Sequence, residues 1–247
     1  MEHPLTETEQ RVVDYWTRRA RDFSLVRQNE LRDRISGRWL REMEAYLPGG
    51  RTLDILDAGT GTGYFAILLA KQGHRVAGID LTSAMLREAE NAVRIAGVEA
   101  RFMELDAQAT GLPGESFDAV VTRNLTWTLP DPEAAYGEWL RLLRPGGVLL
   151  NFDADYAENV RRRNQQASYT DEKGIYGHIG ITPYLSRMNA EITLSMPASR
   201  HRRPEWDLEL MQGAGFSACG ADRTAGLRIL EERDLPESPL FLVLGRK

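Results

Sequence analysis

Cysteine is almost absent from this sequence: Cys219 stands alone in 247 residues. No internal disulfide can form, and a multi-cysteine metal site is excluded. Its setting, GFSACGAD, reads as a strand, so a buried structural thiol is expected rather than a nucleophile. No His/Asp/Glu set has metal-ligand spacing, and no metal is expected. Positive charge is also in deficit. Lys and Arg total 31 against 36 Asp and Glu, a net charge of -5, which is not the basic footprint of sequence-independent nucleic-acid binding. No apolar run approaches the roughly 20 residues of a membrane span. The opening MEHPLTETEQ is polar and acidic and has no apolar signal core. These absences predict a cytoplasmic chain with neither a nucleic acid nor a membrane as partner; a monomer or homodimer is expected. Repeats and low-complexity linkers are missing as well.

What is present is an ordinary globular balance of 42% hydrophobic and 27% charged residues, in a length that suits one large α/β domain or two small ones. Thr6 and Glu9 have capping-box spacing, and Val12, Val13, Trp16 and Ala20 follow at helical spacing. A second amphipathic helix is predicted over residues 29–46, stopped by Leu47-Pro48-Gly49-Gly50. From residue 53 strands and helices alternate. Strands are read at 53–58, 74–81, 98–107, 116–125 and 146–155, with helices at 62–73, 83–97 and 131–143, which implies right-handed parallel βαβ units. Residues 156–204 break the rhythm with a polar insertion and one short helix near 184–190. A helix at 204–214 and strands at 215–222 and 239–247 complete a seven-stranded sheet. One domain is expected: a helical cap (1–50), a core (51–155), a lid (156–204) and a C-terminal part (205–247).

The sharpest feature is LDILDAGTGTGYFAILLA, residues 53–70. Three alternating glycines between a strand and a helix make a turn that lets the backbone approach a ligand beside free helix N–H groups. Two frames compete. Gly61-Thr62-Gly63-Tyr64-Phe65-Ala66 fits the dinucleotide pattern G-x-G-x-x-A, and Asp80, 19 residues after Gly61, stands where that pattern expects an acid. In the other frame Asp57 ends the strand directly ahead of Gly59. A carboxylate there repels a pyrophosphate and suits a ligand with a cationic centre and an ammonium group.

The second frame, Asp57-x-Gly59-x-Gly61-x-Gly63, resembles the first motif of class I S-adenosylmethionine (SAM)-dependent methyltransferases. The resemblance continues over about residues 54–153: Asp80 in VAGIDLT, Asp106-Ala107 in MELDAQ, Asn124 in SFDAVVTRN, and Arg144-Pro145-Gly146-Gly147 before the fifth strand. It implies an α/β, three-layer Rossmann-like fold with strand order 3-2-1-4-5-7-6 and strand 7 antiparallel. It also implies SAM as cofactor, left as S-adenosylhomocysteine. Asp57, Gly59, Thr60, Gly61, Gly63, Leu81, Met85 and Ala107 would surround it, with Asp80 on the ribose hydroxyls, Asp106 on the adenine amine and Asn124 near the methionine part. For a carboxylate at the C-terminal edge of a strand, two hydroxyls are natural charge-assisted partners.

Family members place the methyl acceptor beneath the N-terminal helical segment and the insertion after strand 5. Tyr15, Trp16 and Phe23 suit a sulfonium by cation–π attraction, and Tyr15 is expected to touch the cofactor. Trp16, Trp127, Tyr176, His178 and Tyr184 are the candidate acceptor contacts. An unperturbed histidine changes charge near neutral pH, so His178 is the candidate base, with Tyr15 and Asp153 (beside Asp155) as further catalytic candidates. The acceptor is expected to be a small metabolite or natural product, methylated on O, N or S. A nicotinamide oxidoreductase, a non-catalytic SAM-binding protein and an RNA methyltransferase are the alternatives. Tyr169 to Lys173 fits Y-x-x-x-K, but the glycine spacing of that dehydrogenase family is missing. Arg161-Arg162-Arg163 and His201-Arg202-Arg203 read as solvated faces. The end of strand 4, Asn124-Leu125-Thr126-Trp127, lacks the N-P-P-Y or D-P-P-Y signature of base and amide methylation.

Overall fold

The computed structural model describes residues 4–165, 179–230 and 240–247. Seven strands form one sheet in the order β3-β2-β1-β4-β5-β7-β6: β1 (Asp54–Ala58), β2 (Arg75–Asp80), β3 (Arg101–Glu104), β4 (Phe117–Arg123), β5 (Leu143–Ala154), β6 (Ser217–Asp222) and β7 (Leu240–Arg246). β1 to β5 pair in parallel, and β7 runs antiparallel to both β5 and β6. This is the expected Rossmann-like order. The central strands read DILDA, FDAVVTR and GGVLLNFDA because both faces are covered, and β1, β4 and β5 are buried along almost their whole length.

Two apolar layers result. On one face Leu53, Ile55, Val121, Leu150 and Phe152 pack against Trp39 of α2 (Arg34–Glu44), Phe65 of α3 (Tyr64–Ala70) and Ile229 of α9 (Ala225–Leu230). On the other, Leu56, Val120 and Leu149 pack against Trp139 of α5 (Pro132–Leu142) and Met211 of α8 (Glu205–Ala214). The helix α4 (Ser83–Ala96) closes on α3 through Ala92 and Val93 against Ile67.

The N-terminal segment differs from expectation. α1 is a single helix, Glu7–Arg32, and residues 29–32 belong to it rather than to the next helix. Nothing in SLVRQNELR breaks a helix. The break comes at Asp33, whose extended backbone ends α1 and whose carboxylate caps α2 by accepting from Ile35 N at 3.0 Å. The expected capping box at Thr6 and Glu9 is present. After β5 come α6 (Tyr156–Gln165), α7 (Pro183–Ser195) and a 3-10 turn at Pro197–Arg200, so the helix expected near 184–190 is longer. Cys219 is half-buried rather than buried.

Candidate functional site

The glycine turn is held by two carboxylates from below and beside. Gly59, Gly61 and Gly63 have φ of 66°, 54° and 80°, the left-handed region that glycine enters without strain. Asp57, at the end of β1, is 2% exposed. Its Oδ2 accepts from Thr60 Oγ1 at 2.7 Å and Ala66 N at 3.1 Å, binding the turn to the first turn of α3. Burial pushes its carboxyl up to about 7 against those two hydrogen bonds. Asp57 is therefore the internal brace of the turn, which differs from the ligand-facing position expected for it. Asp80, at the end of β2, accepts from Gly61 N at 2.9 Å through Oδ2 and from Thr82 N at 2.8 Å through Oδ1. Burial raises it to about 6. Each Asp80 oxygen is thus oriented by one backbone N–H beside the turn.

Three further loops meet this edge. Asp106 Oδ1 accepts from Gln108 N at 2.9 Å, and Ala107 is buried with its carbonyl accepting from Trp139 Nε1 at 3.1 Å. Asn124 adopts φ 56°, and its backbone N–H donates to Phe152 O at 2.7 Å. Its Oδ1 is buried with no hydrogen-bond partner. A Cβ added at Gly59 would meet Leu125 Cδ1 at 2.7 Å, so loop 124–125 lies directly against the first glycine. Leu81 is half-buried, and Met85 is buried against Ala20, Trp16 and Phe23.

The helix α1 roofs the edge. Phe23 is the nearest ring to Gly61, at 3.8 Å from an added Cβ. Trp16 stands edge-on between Tyr15 and Phe23, with centroids 5.1 and 5.3 Å away. Tyr15 is buried in an apolar cluster with Trp127, Leu185, Ile192 and Met196. Burial raises its phenol above the usual value, against the nearby Arg19. Trp127 stacks obliquely on Tyr156 at 5.0 Å.

Two candidates are corrected. Asp153 is fully buried and engaged: its Oδ2 accepts from Trp127 N at 3.1 Å, from Arg203 Nη2 at 3.0 Å and from Thr126 Oγ1. A carboxylate so enclosed orients loop 126–127 and does not reach an acceptor. Tyr184 is 60% exposed, under the Arg18 guanidinium, and stands at the surface instead of lining an interior pocket. His178 and Tyr176 lie outside the described residues. Among the described residues no group of three or more metal-ligating side chains occurs, and no helix is long and apolar enough to cross a membrane.

Sequence reasoning missed a second polar group. Arg27, Glu30 and Arg123 meet between α1 and the end of β4: Glu30 accepts from Arg27 Nη1 and, at 3.1 Å, from Arg123 Nη1. Arg27 and Glu30 lie on one face of α1 at i, i+3, a relation hidden in the sequence reading because it began a second helix at residue 29.

The turn, the three acids and the loops around them carry the order expected of a SAM site. The family model described as a methyltransferase domain matches residues 56–151. A phosphatidylethanolamine N-methyltransferase of Cereibacter sphaeroides is 38% identical over 158 residues, covering 61% of this chain and 75% of that protein. The chain belongs to the class I SAM-dependent methyltransferases. A demethylmenaquinone methyltransferase of Thermus thermophilus is 41% identical over 98 residues, 39% of this chain and 44% of that protein, so the chain matches less than half the length of that relative. A SAM-dependent methyltransferase structure from Thermotoga maritima shares the fold, with TM-score 0.59 and 19% identity, covering 95% of this chain and 99% of that one. In this member of the family the residues fit the family's methyl donor. Gly61, where an added Cβ would meet nothing nearer than Phe23 at 3.8 Å, leaves room for a ligand at the turn, Asp80 offers oriented acceptors, and Asn124 has an orphaned one.

Proposed function

We propose that this methyltransferase transfers a methyl group from SAM to an O, N or S atom of a small metabolite or natural product. The observation that carries this reading is Asp80: a carboxylate at the sheet edge, aimed by Gly61 N–H and Thr82 N–H beside the glycine turn. SAM supplies an activated methyl group on a sulfonium. Asp80 would accept both ribose hydroxyls, Asp106 the adenine amine, and Asn124 Oδ1 an N–H of the methionine part. Tyr15, Trp16, Phe23 and Trp127 would exclude water and line the approach to the methyl group, where positioning and desolvation supply most of the rate.

A small acceptor agrees with the buried apolar wall formed by Tyr15 of α1, Trp127, and Leu185 and Ile192 of α7. His178 is the proposed base for an acceptor that is protonated at working pH. The reading is tested by calorimetric titration with S-adenosylhomocysteine and with NADH. Binding of the first alone is expected, and tight NADH binding without it refutes the proposal. A screen of labelled SAM against small O, N and S acceptors then identifies the substrate. Unchanged turnover in His178→Ala, with cofactor affinity measured in parallel, would remove His178 from the mechanism.

A further inference from the structure

The sheet edge opposite the glycine turn carries a groove that methyl transfer leaves unused. Arg75 opens β2 and Asp80 ends it, so the two edges stand about 17 Å apart at a rise of about 3.3 Å per strand residue. The groove, about 650 Å³, lies between the first residues of β2 and β3 and the last turn of α4. Its floor is apolar. Val76 and Val93 are buried, and Val98 and Ala100 pack against the cluster of Ile67 and Val93. Its walls are basic: Arg75, Arg94 and Arg101 line it against a single carboxylate, Glu99.

The chain does not neutralise these guanidiniums itself. Arg75 Nε donates to Asp54 Oδ1 at 2.6 Å, but Asp54 also takes Arg144 at 2.9 Å. Arg94 donates to the neutral Asn91 at 2.6 Å. Among the described residues the Arg101 guanidinium has no hydrogen bond or ion pair. His74, on the same wall, accepts from Leu53 N through Nδ1 at 3.2 Å, so its neutral ring carries the proton on Nε2 and adds a donor. This positive excess stands on a chain of net charge -5. A cleft lined by one sign of charge concentrates ligands of the other sign, and arginine forks match the oxygens of a phosphate. Three guanidiniums less one carboxylate call for a dianion, which a phosphate ester largely is at neutral pH. An inorganic ion alone would leave the half-buried Val98 and Ala100 uncovered. We infer that this groove is a second ligand site, built for a phosphomonoester with an apolar body: the phosphate on Arg75, Arg94 and Arg101, the body on the valine floor. The inference goes beyond methyl transfer and does not depend on it.

The experiment titrates phenyl phosphate, inorganic phosphate and phenol into the full chain at low salt, where exposed charges are least screened, with and without saturating S-adenosylhomocysteine. Wild type should bind phenyl phosphate about tenfold more tightly than either half of that molecule, because ring burial adds to the charge pairing. Arg94→Met and Arg101→Met should each weaken it about three- to fivefold, the upper range for a solvent-exposed pair, while Arg202→Met, 85% exposed and away from the groove, should stay within about twofold. Arg94 and Arg101 are exposed, so both variants should fold; Arg101→Gln repeats the test if the Met variant does not. Val98→Asp, which sets a carboxylate on the floor, should abolish binding. S-adenosylhomocysteine should leave phenyl phosphate affinity unchanged. Absence of saturable binding, equal affinity for phenyl and inorganic phosphate, an equal loss in Arg202→Met, or displacement by S-adenosylhomocysteine each overturns the inference. If S-adenosylhomocysteine itself fails to bind, the functional reading falls instead, and the titrations without it still decide the groove.

Discussion

Arg203 Nη2 lies 3.0 Å from Asp153 Oδ2 and 2.7 Å from Asp207 Oδ1, and all three side chains are at most 1% exposed. One guanidinium thus joins the start of α8 to the end of β5, and through Thr126 Oγ1, at 2.7 Å, to the loop after β4. Tyr136 Oη extends the network, donating to Asp207 at 2.8 Å. Removing one partner of a buried pair leaves the other charge uncompensated. Arg203→Met should therefore lower stability by about 3–5 kcal/mol in urea denaturation. Arg202→Met, one residue away and 85% exposed, should stay within about 0.5 kcal/mol. Similar losses for the two would show that burial of the network carries no weight.

The glycine turn gives a prediction with a built-in rescue. Gly59→Ala forces φ 66° on a residue with a Cβ and drives that atom to 2.7 Å from Leu125 Cδ1. A left-handed non-glycine residue costs about 1–2 kcal/mol, and the clash adds to it. S-adenosylhomocysteine affinity should fall with stability. Gly59→Ala combined with Leu125→Ala should regain part of the affinity, since the clash is relieved and the backbone strain is not. Absence of any regain in the double variant would mean that strain alone dominates.

Asp57 makes stability fall with rising pH. Its carboxyl is raised to about 7 from 3.8 by burial, so between about pH 4 and 7 the folded chain holds a proton that the unfolded chain has released. The stabilisation is full below about pH 4 and is lost as pH climbs through 7. Asp57→Asn retains an acceptor for Thr60 and Ala66 and removes this titration. Chemical denaturation of the ligand-free protein at several pH values should show a shallower decline in the variant, and parallel curves would refute the assignment.

Asp80 makes the cofactor pH-sensitive in the opposite sense. Ribose hydroxyls donate to the ionised carboxylate, and burial holds that carboxyl at about 6. S-adenosylhomocysteine affinity should therefore weaken as pH drops below about 6, up to tenfold per unit. Asp80→Asn should bind about 10- to 100-fold more weakly at neutral pH, as expected for two lost charge-assisted hydrogen bonds, and lose the pH dependence.

The alternation of strands and helices and the cofactor edge were legible because their signals are local, whereas the sheet order came only with the family resemblance those signals carry. Apolar strands ending in Asp57 and Asp80, and glycines at the one turn that requires them, need no knowledge of distant residues. Long-range pairing was not legible. His201-Arg202-Arg203 read as a solvated face, yet Arg203 is among the most buried residues while Arg202 is not. The difference lies in Asp153 and Asp207, which only the fold brings to it. Asp153 was misread for the same reason. The six-residue α9, AGLRIL, is too short to show a helical period. Arg27 and Glu30 were not read as one helix face, and only Arg123, 93 residues after Glu30, turns that pair into a buried cluster.

The unbroken course of α1 has a consequence for sequence variation. Its 26 residues span about 39 Å, and Tyr15, Phe23, Arg27 and Glu30 face inward at successive points of one rod. Each residue turns a helix by about 100°. A single inserted or deleted residue between Phe23 and Arg27 would therefore preserve composition and helicity while rotating one half of the roof away from its partners. Such a change should be harder to tolerate than most substitutions in α1, and divergence of this helix should proceed by replacement at fixed length.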